Sequence, residues 1–478
     1  MRVGIIGAGP GGICAGIRLK QSGYGDFTIL EQAPGIGGTW WHNSYPGCAC
    51  DVPSHLYSFS FATRQEWPRP YGNQPEVRAY LEDVVDSFGI RPYIRLNTKV
   101  ESAAWQEDRS EWHVATATGE SFPFDVLIGA VGLFNMPVTP DIPGLGLFAG
   151  TKFHSARWNH DHDLTGEAVA VIGSAASATQ FIPKIAPLVG RLDVYQRTPN
   201  WVRPRDDAYT PGQQARFRGD PSAAAQERET IWGWIDAIVT LDDPVTLAES
   251  RAVCLKNLEA VDDPETRRKL TPDYPFGGKR PLISNDFYPT FNRPNVHLIT
   301  DPIARITSDA VVAADGTARK IDTIVLATGF DTMRFLSAIP VTGKGGRRLQ
   351  DAWAGGPEAY LGITVSGFPN LFMLYGPNTN NGSIIFQIEC QVEYALRHIR
   401  RIKEQRLAWI DVKPDAMAVY NRTLQSALEA VEVWNTGTCR DYYRHPSGRI
   451  VTQWPHGMGR YRDVTGAADD AAYEVGAA

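Results

Sequence analysis

The chain has little that would hold it in a bilayer, on a nucleic acid or in an oxidising compartment. No apolar run reaches the roughly 18 residues that a spanning helix needs, and the first residues enter a strand pattern without a signal-peptide arrangement. A cytoplasmic location with no membrane contact is therefore expected. Basic residues do not exceed acidic ones: 47 Lys and Arg stand against 53 Asp and Glu, a formal net charge of -6. Without a basic block, nucleic acid is not an expected partner. Cysteine is scarce, with Cys14, Cys48, Cys50, Cys254, Cys390 and Cys439 scattered over 478 residues. That suits free thiols better than a disulfide framework. Cys48 and Cys50 stand one residue apart, too tight for the usual redox or metal spacing. They are expected as small side chains in a packed loop, and no metal site is expected.

What the chain does have is core material, 43% hydrophobic against 21% charged residues, enough for about three domains. It also has two turns of the dinucleotide-binding kind, each set between a strand and a helix.

The first turn follows a short apolar strand, Arg2 to Gly7, and reads Gly7-Ala-Gly9-Pro-Gly-Gly12 before a helical stretch to Lys20 and a second strand, Phe27 to Leu30. Gly7 allows the tight turn, Gly9 lets backbone approach a pyrophosphate and Gly12 lets helix and strand pack closely. The helix N-terminus stabilises the phosphate charge. Glu31 closes the second strand, 19 residues after Gly12. A carboxylate there accepts hydrogen bonds from both ribose hydroxyls and repels a 2′-phosphate, so this site suits FAD or NAD rather than NADP.

The second turn, Gly173-Ser174-Ala175-Ala-Ser177-Ala178, follows the apolar strand Ala168 to Ile172 and opens a helix running to about Val189. Alanine replaces the second and third glycines. Ala178 is tolerated at the packing position, whereas Ala175 takes room where backbone should meet pyrophosphate. The next strand, Leu192 to Gln196, ends in Arg197-Thr198 rather than an acid. A guanidinium beside a hydroxyl is what a 2′-phosphate requires, which selects NADP(H). Two such sites in one chain can bring two redox rings face to face, and the chemistry of that pair is hydride transfer.

Further strands are read at Val126 to Gly132 and Asp322 to Leu326, each closing a nucleotide domain. A helix is read from about Ser383 to Glu404 behind Gly376-Pro377-Asn378-Thr-Asn-Asn-Gly382. Its N-terminus could either face a flavin or simply be capped. Between Pro211 and Pro275 the chain reads as polar and helical, with Trp232, Trp234, Ile235 and Ile238 as an amphipathic core stripe; this insertion could also line the substrate's way in. The last dozen residues, rich in Ala and Asp, read as a loose tail.

Two longer patterns carry a family resemblance. Phe148, Gly150, His154 and Trp158 meet the linker signature Phe-x-Gly-x3-His-x3-Trp, with Asn159 where Pro or Asp is expected. Gly37, Gly38, Trp40, Tyr45, Pro46, Gly47 and Asp51 meet Gly-Gly-x-Trp-x4-Tyr-Pro-Gly-x3-Asp in full. The chain thus resembles the type I Baeyer–Villiger monooxygenases of the class B flavoprotein monooxygenases over nearly its whole length. The resemblance implies an α/β fold of two Rossmann-like domains, for FAD and for NADP, with a helical insertion. The implied division is 1–145 and 336–478 for the FAD domain, 146–212 and 276–335 for linker and NADP domain, and 213–275 for the insertion. It implies NADPH- and O2-dependent insertion of one oxygen beside a ketone carbonyl, giving an ester or lactone via a C4a-peroxyflavin. Arg280 becomes the active-site arginine, oriented by Asp51, and Lys279 a ligand of the 2′-phosphate. Gly38, Thr39, Trp40, Tyr57 and Val100 join the flavin site, while Gly173, Ser174, Ser177, Arg197 and Thr198 join the NADP site. His154 and Trp158 act at the hinge rather than in the chemistry.

Three other readings share some of these features. A flavin N- or S-oxygenating monooxygenase has both sites but usually lacks the tryptophan at position 158. A flavin disulfide reductase needs a C-x4-C pair, which this sequence does not contain. A non-enzymatic FAD-binding sensor would not consume NADPH rapidly. The ketone and the oligomeric state are not encoded by any motif.

Overall fold

The structure, a computed structural model, describes residues 1–436 and 442–477; the free-thiol expectation for Cys439 lies outside the described residues. Two parallel sheets organise it. In the first, the order is Leu371–Met373, Val126–Gly129, β1 (Val3–Ile6), β2 (Phe27–Leu30), Ile94–Arg95, all parallel. Every residue of β1 is buried, as a parallel strand covered on both faces should be. In the second, the order is Val296–Ile299, β4 (Arg191–Tyr195), β3 (Ala168–Ile172), Thr323–Leu326, Thr151–His154, again parallel throughout. The α/β, doubly dinucleotide-binding architecture read from the sequence is therefore present.

The two sheets repeat one local solution. Helix α1 (Pro10–Gln21) follows β1, and α2 (Ala176–Ile185) follows β3. Gly7 and Gly173 turn the chain at φ +104° and +108°. A Cβ on Gly7 would lie 2.6 Å from the Ala130 carbonyl oxygen, and one on Gly173 would collide with the equivalent Ala327 oxygen. Side chains are excluded at both places because a neighbouring strand end closes over the turn. Gly9 and Ala175 occupy the N-cap places in extended backbone, φ -76° and -86°. Alanine is conformationally ordinary in that extended backbone.

Three differences from the sequence reading have physical causes. The strand read as Val126 to Gly132 stops at Gly129, where the chain leaves the sheet to cover the first turn. The insertion helices begin at Pro211, where the sequence reading places them, and Thr210 caps the first with a capping box. We propose the remaining domain boundaries as given by the resemblance.

Within the insertion, the helix Ala223–Ile238 does not bury its aromatic stripe as one face. Ile235 is buried, Trp232 is half-buried against Phe386, and Trp234 is 46% exposed. The C-terminal dozen is not a loose tail: Tyr473–Ala477 pairs antiparallel with Leu407–Val412. Tyr473 anchors it, its hydroxyl meeting those of Tyr394 at 2.6 Å and Thr364 at 2.9 Å inside the core.

Among the described residues no helix is long and apolar enough to cross a membrane, and no group of His, Cys, Asp and Glu could hold a metal ion. Cys14, Cys48, Cys50, Cys254 and Cys390 are free, the first four buried.

Candidate active site

One cleft of about 1860 Å³ runs between the two sheets. Pockets for a single drug-sized ligand span roughly 300–1,000 Å³, so this one is larger than a single such ligand needs, and its walls come from both halves. Its walls include Gly7, Gly9, Glu31, Gly38, Thr39, Trp40, Asp51, Tyr57 and Val100 from the first half. The second half contributes Gly173, Ser174, Ser177, Arg197, Thr198, Lys279 and Arg280. Gly12 is the one expected site residue that does not reach the cleft. It is buried behind Gly7, where a Cβ would strike the Gly7 carbonyl, so its role is close packing.

The first half fits a dinucleotide on its own geometry. Gly38, at φ +56°, faces Gly9 so closely that a Cβ on it would stand 2.9 Å from the Gly9 Cα. The result is a groove walled by bare backbone, open to a phosphate and aligned with the N-terminus of α1. Beyond it Glu31 is fixed by two backbone donors, Ala8 N at 2.7 Å and Ala33 N at 2.8 Å. Burial raises its pKa despite those bonds. Each oxygen keeps a lone pair for a ribose hydroxyl. Trp40 donates from Nε1 to the Tyr57 hydroxyl at 3.1 Å, which sets both rings as one wall.

The second half ends in cations. Arg197 is exposed to the cleft and Thr198 stands beside it. Lys279 lies with Nζ 5.2 Å above the Tyr274 ring. Ser174 is tied by its hydroxyl to Gln196 at 3.2 Å, which fixes the turn. An acid-ended first half and a cation-ended second half are what a flavin dinucleotide and a 2′-phosphorylated nicotinamide dinucleotide respectively require.

Where the halves meet, Arg280 forks onto Asp51. Nε donates to Oδ2 at 2.6 Å and Nη2 to Oδ1 at 2.9 Å. About a third of each side chain stays accessible, 35% and 34%, and that surface faces the cleft. Asp51 raises the pKa of Arg280 above the ordinary guanidinium value, outweighing the opposing effect of burial. The pair uses Nε and one Nη2 hydrogen, leaving the Nη1 donors outside the fork. Tyr375 and Tyr442 line the same space, and burial raises both phenols. They present neutral hydroxyls there.

Sequence reasoning did not find Tyr375, Tyr442, Arg157 or Gln180, all on the cleft wall. Only Tyr375 left a trace, a tyrosine directly before the Gly376-Pro377 turn, held at φ +58°. His154 and Trp158 do not line the cleft. His154 caps a short turn through Nδ1 to Ala156 N at 3.0 Å, and Trp158 packs between Phe153 and Phe181. The insertion contributes no described residue between positions 201 and 278 to the cleft wall, so the second reading of it, as a lining of the substrate's way in, has no support from this cleft. It packs instead on the first domain, where Arg228 donates to the carbonyls of His55, Leu56 and Ser58. The helix α3 (Ile384–Gln405) opens on the cleft, with Gly382, Ile384 and Ile388 on its wall. Ser383 makes no side-chain cap there.

Comparison with known proteins agrees with this geometry. The profile "Pyridine nucleotide-disulphide oxidoreductase" matches residues 4–217. A Baeyer–Villiger monooxygenase of Streptomyces coelicolor is 43% identical over 99% of this chain and 92% of its own. This chain belongs to the Baeyer–Villiger monooxygenases. A closed crystal structure of cyclohexanone monooxygenase superposes with a TM-score of 0.89 at 32% identity, over 100% of this chain and 99% of that one. The structure of OTEMO complexed with FAD and NADP gives 0.87 at 28% identity, covering 99% of both chains. For a Baeyer–Villiger monooxygenase the arrangement has a clear logic: a cation held by a carboxylate, Arg280 on Asp51, stands where the two nucleotide halves converge.

Proposed function

We propose that this chain consumes NADPH and O2 to insert one oxygen atom beside a ketone carbonyl, releasing an ester or lactone, with FAD in the Glu31 half of the cleft and NADP(H) in the Arg197 half. The observation that carries it is the Asp51–Arg280 fork at the junction of two complementary nucleotide halves. Bound flavin and nicotinamide supply the hydride and oxygen chemistry.

The protein's own part is electrostatic. Arg280 is charged at every working pH and held by Asp51, so no reorganisation is needed when negative charge develops on the ketone oxygen. Where bound cofactors and ketone fill the cleft and exclude water, such a donor counts for more than in solution. Arg197 and Lys279 bind and orient the 2′-phosphate; Trp40 and Tyr57 wall the flavin side; the neutral hydroxyls of Tyr375 and Tyr442 bound the ketone's space without adding charge. Linear, cyclic, aryl and steroidal ketones all carry the carbonyl that this site reads.

The test is to incubate the flavin-loaded protein with NADPH, ¹⁸O2 and a panel of such ketones and to analyse products by mass spectrometry. One labelled oxygen per ester supports the reading. NADPH consumption that yields only peroxide with every ketone, or labelled N- or S-oxides in place of esters, overturns it.

A further inference from the structure

Helix α2 carries the second nucleotide turn at its N-terminus. One turn further along, it grips the loop that ends in Asp51. The Gln180 amide binds the backbone of Ala49 at both ends: Nε2 donates to the Ala49 carbonyl at 3.0 Å, and Oε1 accepts from Ala49 N at 3.2 Å. The same Oε1 accepts from the Tyr45 hydroxyl at 3.0 Å. Gly47, at φ +80°, lets the loop lie directly on the helix, since a Cβ there would stand 2.7 Å from the Gln180 carbonyl oxygen. The Tyr45 ring meets Phe181 at 6.0 Å, and Phe181 in turn meets Trp158 at 5.2 Å. Thus two neighbouring residues of α2 hold both ends of a five-residue stretch, Tyr45 to Ala49, and Asp51 follows two positions later.

A side-chain amide bridging both polar groups of one residue copies a strand partner. It fixes that residue's position and orientation together, which a single bond or an apolar contact would not do. Ala49 is therefore registered to α2 rather than merely packed against it. Asp51 inherits that register, and the fork onto Arg280 tolerates little displacement, because its two bonds at 2.6 and 2.9 Å require coplanar groups. Gln180 itself lines the cleft.

We propose that Gln180 is a positioning residue that couples occupancy of the second nucleotide turn to the placement of Asp51, and through it of Arg280. This rests on the NADP assignment made above for the turn at residues 173–178. A nucleotide phosphate that orders the N-terminus of α2 thereby steadies the loop from Tyr45 to Asp51, so the guanidinium is aligned when the nicotinamide nucleotide is in place.

The test compares the flavin-loaded wild type with Gln180→Ala and Gln180→Glu. Hydrogen–deuterium exchange, which needs no turnover, is read over residues 45–51 with and without NADP⁺. In the wild type NADP⁺ slows exchange in that segment; in Gln180→Ala it no longer does, although NADP⁺ still binds. In turnover, ester formed per NADPH consumed falls about three- to tenfold in Gln180→Ala, the size of one net hydrogen bond or two, while KM for NADPH stays within about threefold, as the phosphate contacts remain. Gln180→Glu sets a carboxylate oxygen against the Ala49 carbonyl; protonation restores the donor, so its coupling recovers as pH falls, a limb absent from the other two proteins. Unchanged NADP⁺ protection of residues 45–51 in Gln180→Ala overturns the proposal, as does a flat ratio of coupling between Gln180→Glu and wild type across pH. Should Gln180→Ala fail to hold flavin, the Gln180→Glu comparison decides alone. Failure of the function reading looks different: the wild type then makes no ester, while the exchange experiment still reports on the coupling.

Discussion

Asp51 and Arg280 are 229 positions apart in the chain and meet at 2.6 and 2.9 Å, one from each nucleotide-binding half. The pair is therefore a junction between the two nucleotide-binding halves, and it is the catalytic device of the function proposed above.

Arg280→Ala removes the cleft's forked cation while leaving the Glu31 half untouched. Ester formation is expected to fall by about two to three powers of ten, the usual cost of a preorganised donor, with the flavin spectrum retained. Ester formation at the wild-type rate would remove Arg280 from the mechanism. Asp51→Asn keeps the shape but weakens the fork, and is expected to lose less than Arg280→Ala under the same assay.

Arg197→Ala is expected to raise KM for NADPH at least tenfold, the order of one charge-assisted contact, and to leave KM for NADH nearly unchanged. Steady-state kinetics with both nucleotides checks it. An equal rise for both would place the 2′-phosphate elsewhere.

The two glycine turns are predicted to answer differently to a methyl group. Gly12→Ala drives a Cβ into the Gly7 carbonyl and should abolish flavin retention, or solubility with it. Ala175→Gly acts at an exposed, extended position, so the fold should persist with KM for NADPH changed less than about threefold. Flavin content after purification and NADPH kinetics separate the two outcomes.

Asp411 gives the protein a pH-dependent stability. It is buried, accepts Gly367 N at 3.1 Å on each oxygen, and burial, aided by Glu474 and opposed by Lys344, pushes its pKa up to about 7. A carboxyl raised in the folded state favours the protonated form there. Its contribution is full below the unfolded carboxyl's value near 4 and is lost as pH rises through about 7; across that window each step of one pH costs about 1.4 kcal/mol. Asp411→Asn should therefore gain thermal stability relative to wild type at pH 8 and keep only a smaller part of that advantage at pH 5. Melting curves at the two pH values check this; a gap between variant and wild type that does not move with pH contradicts it.

The sequence by itself determined the nucleotide turns, the acid and the arginine that follow their second strands, and the loop that carries Asp51. These are legible because backbone geometry and phosphate chemistry tolerate few residue types at fixed local spacing, as Gly7 at φ +104° and Gly173 at φ +108° illustrate. Gln180, Tyr375 and Tyr442 were not legible. A glutamine on a helix or a tyrosine at a strand end has no local signature, and its use depends on what the fold lays beside it. The C-terminal strand escaped for a similar reason: Tyr473–Ala477 is too short and polar to read as a strand, and it becomes one because Leu407–Val412 offers it an edge and the core takes the Tyr473 ring. Trp234 shows the converse, an apolar residue on an apparent core face left exposed because no described element packs over it. Short-range covalent and steric constraint is written in the chain, whereas contacts between distant segments are decided only when two sheets close on one cleft.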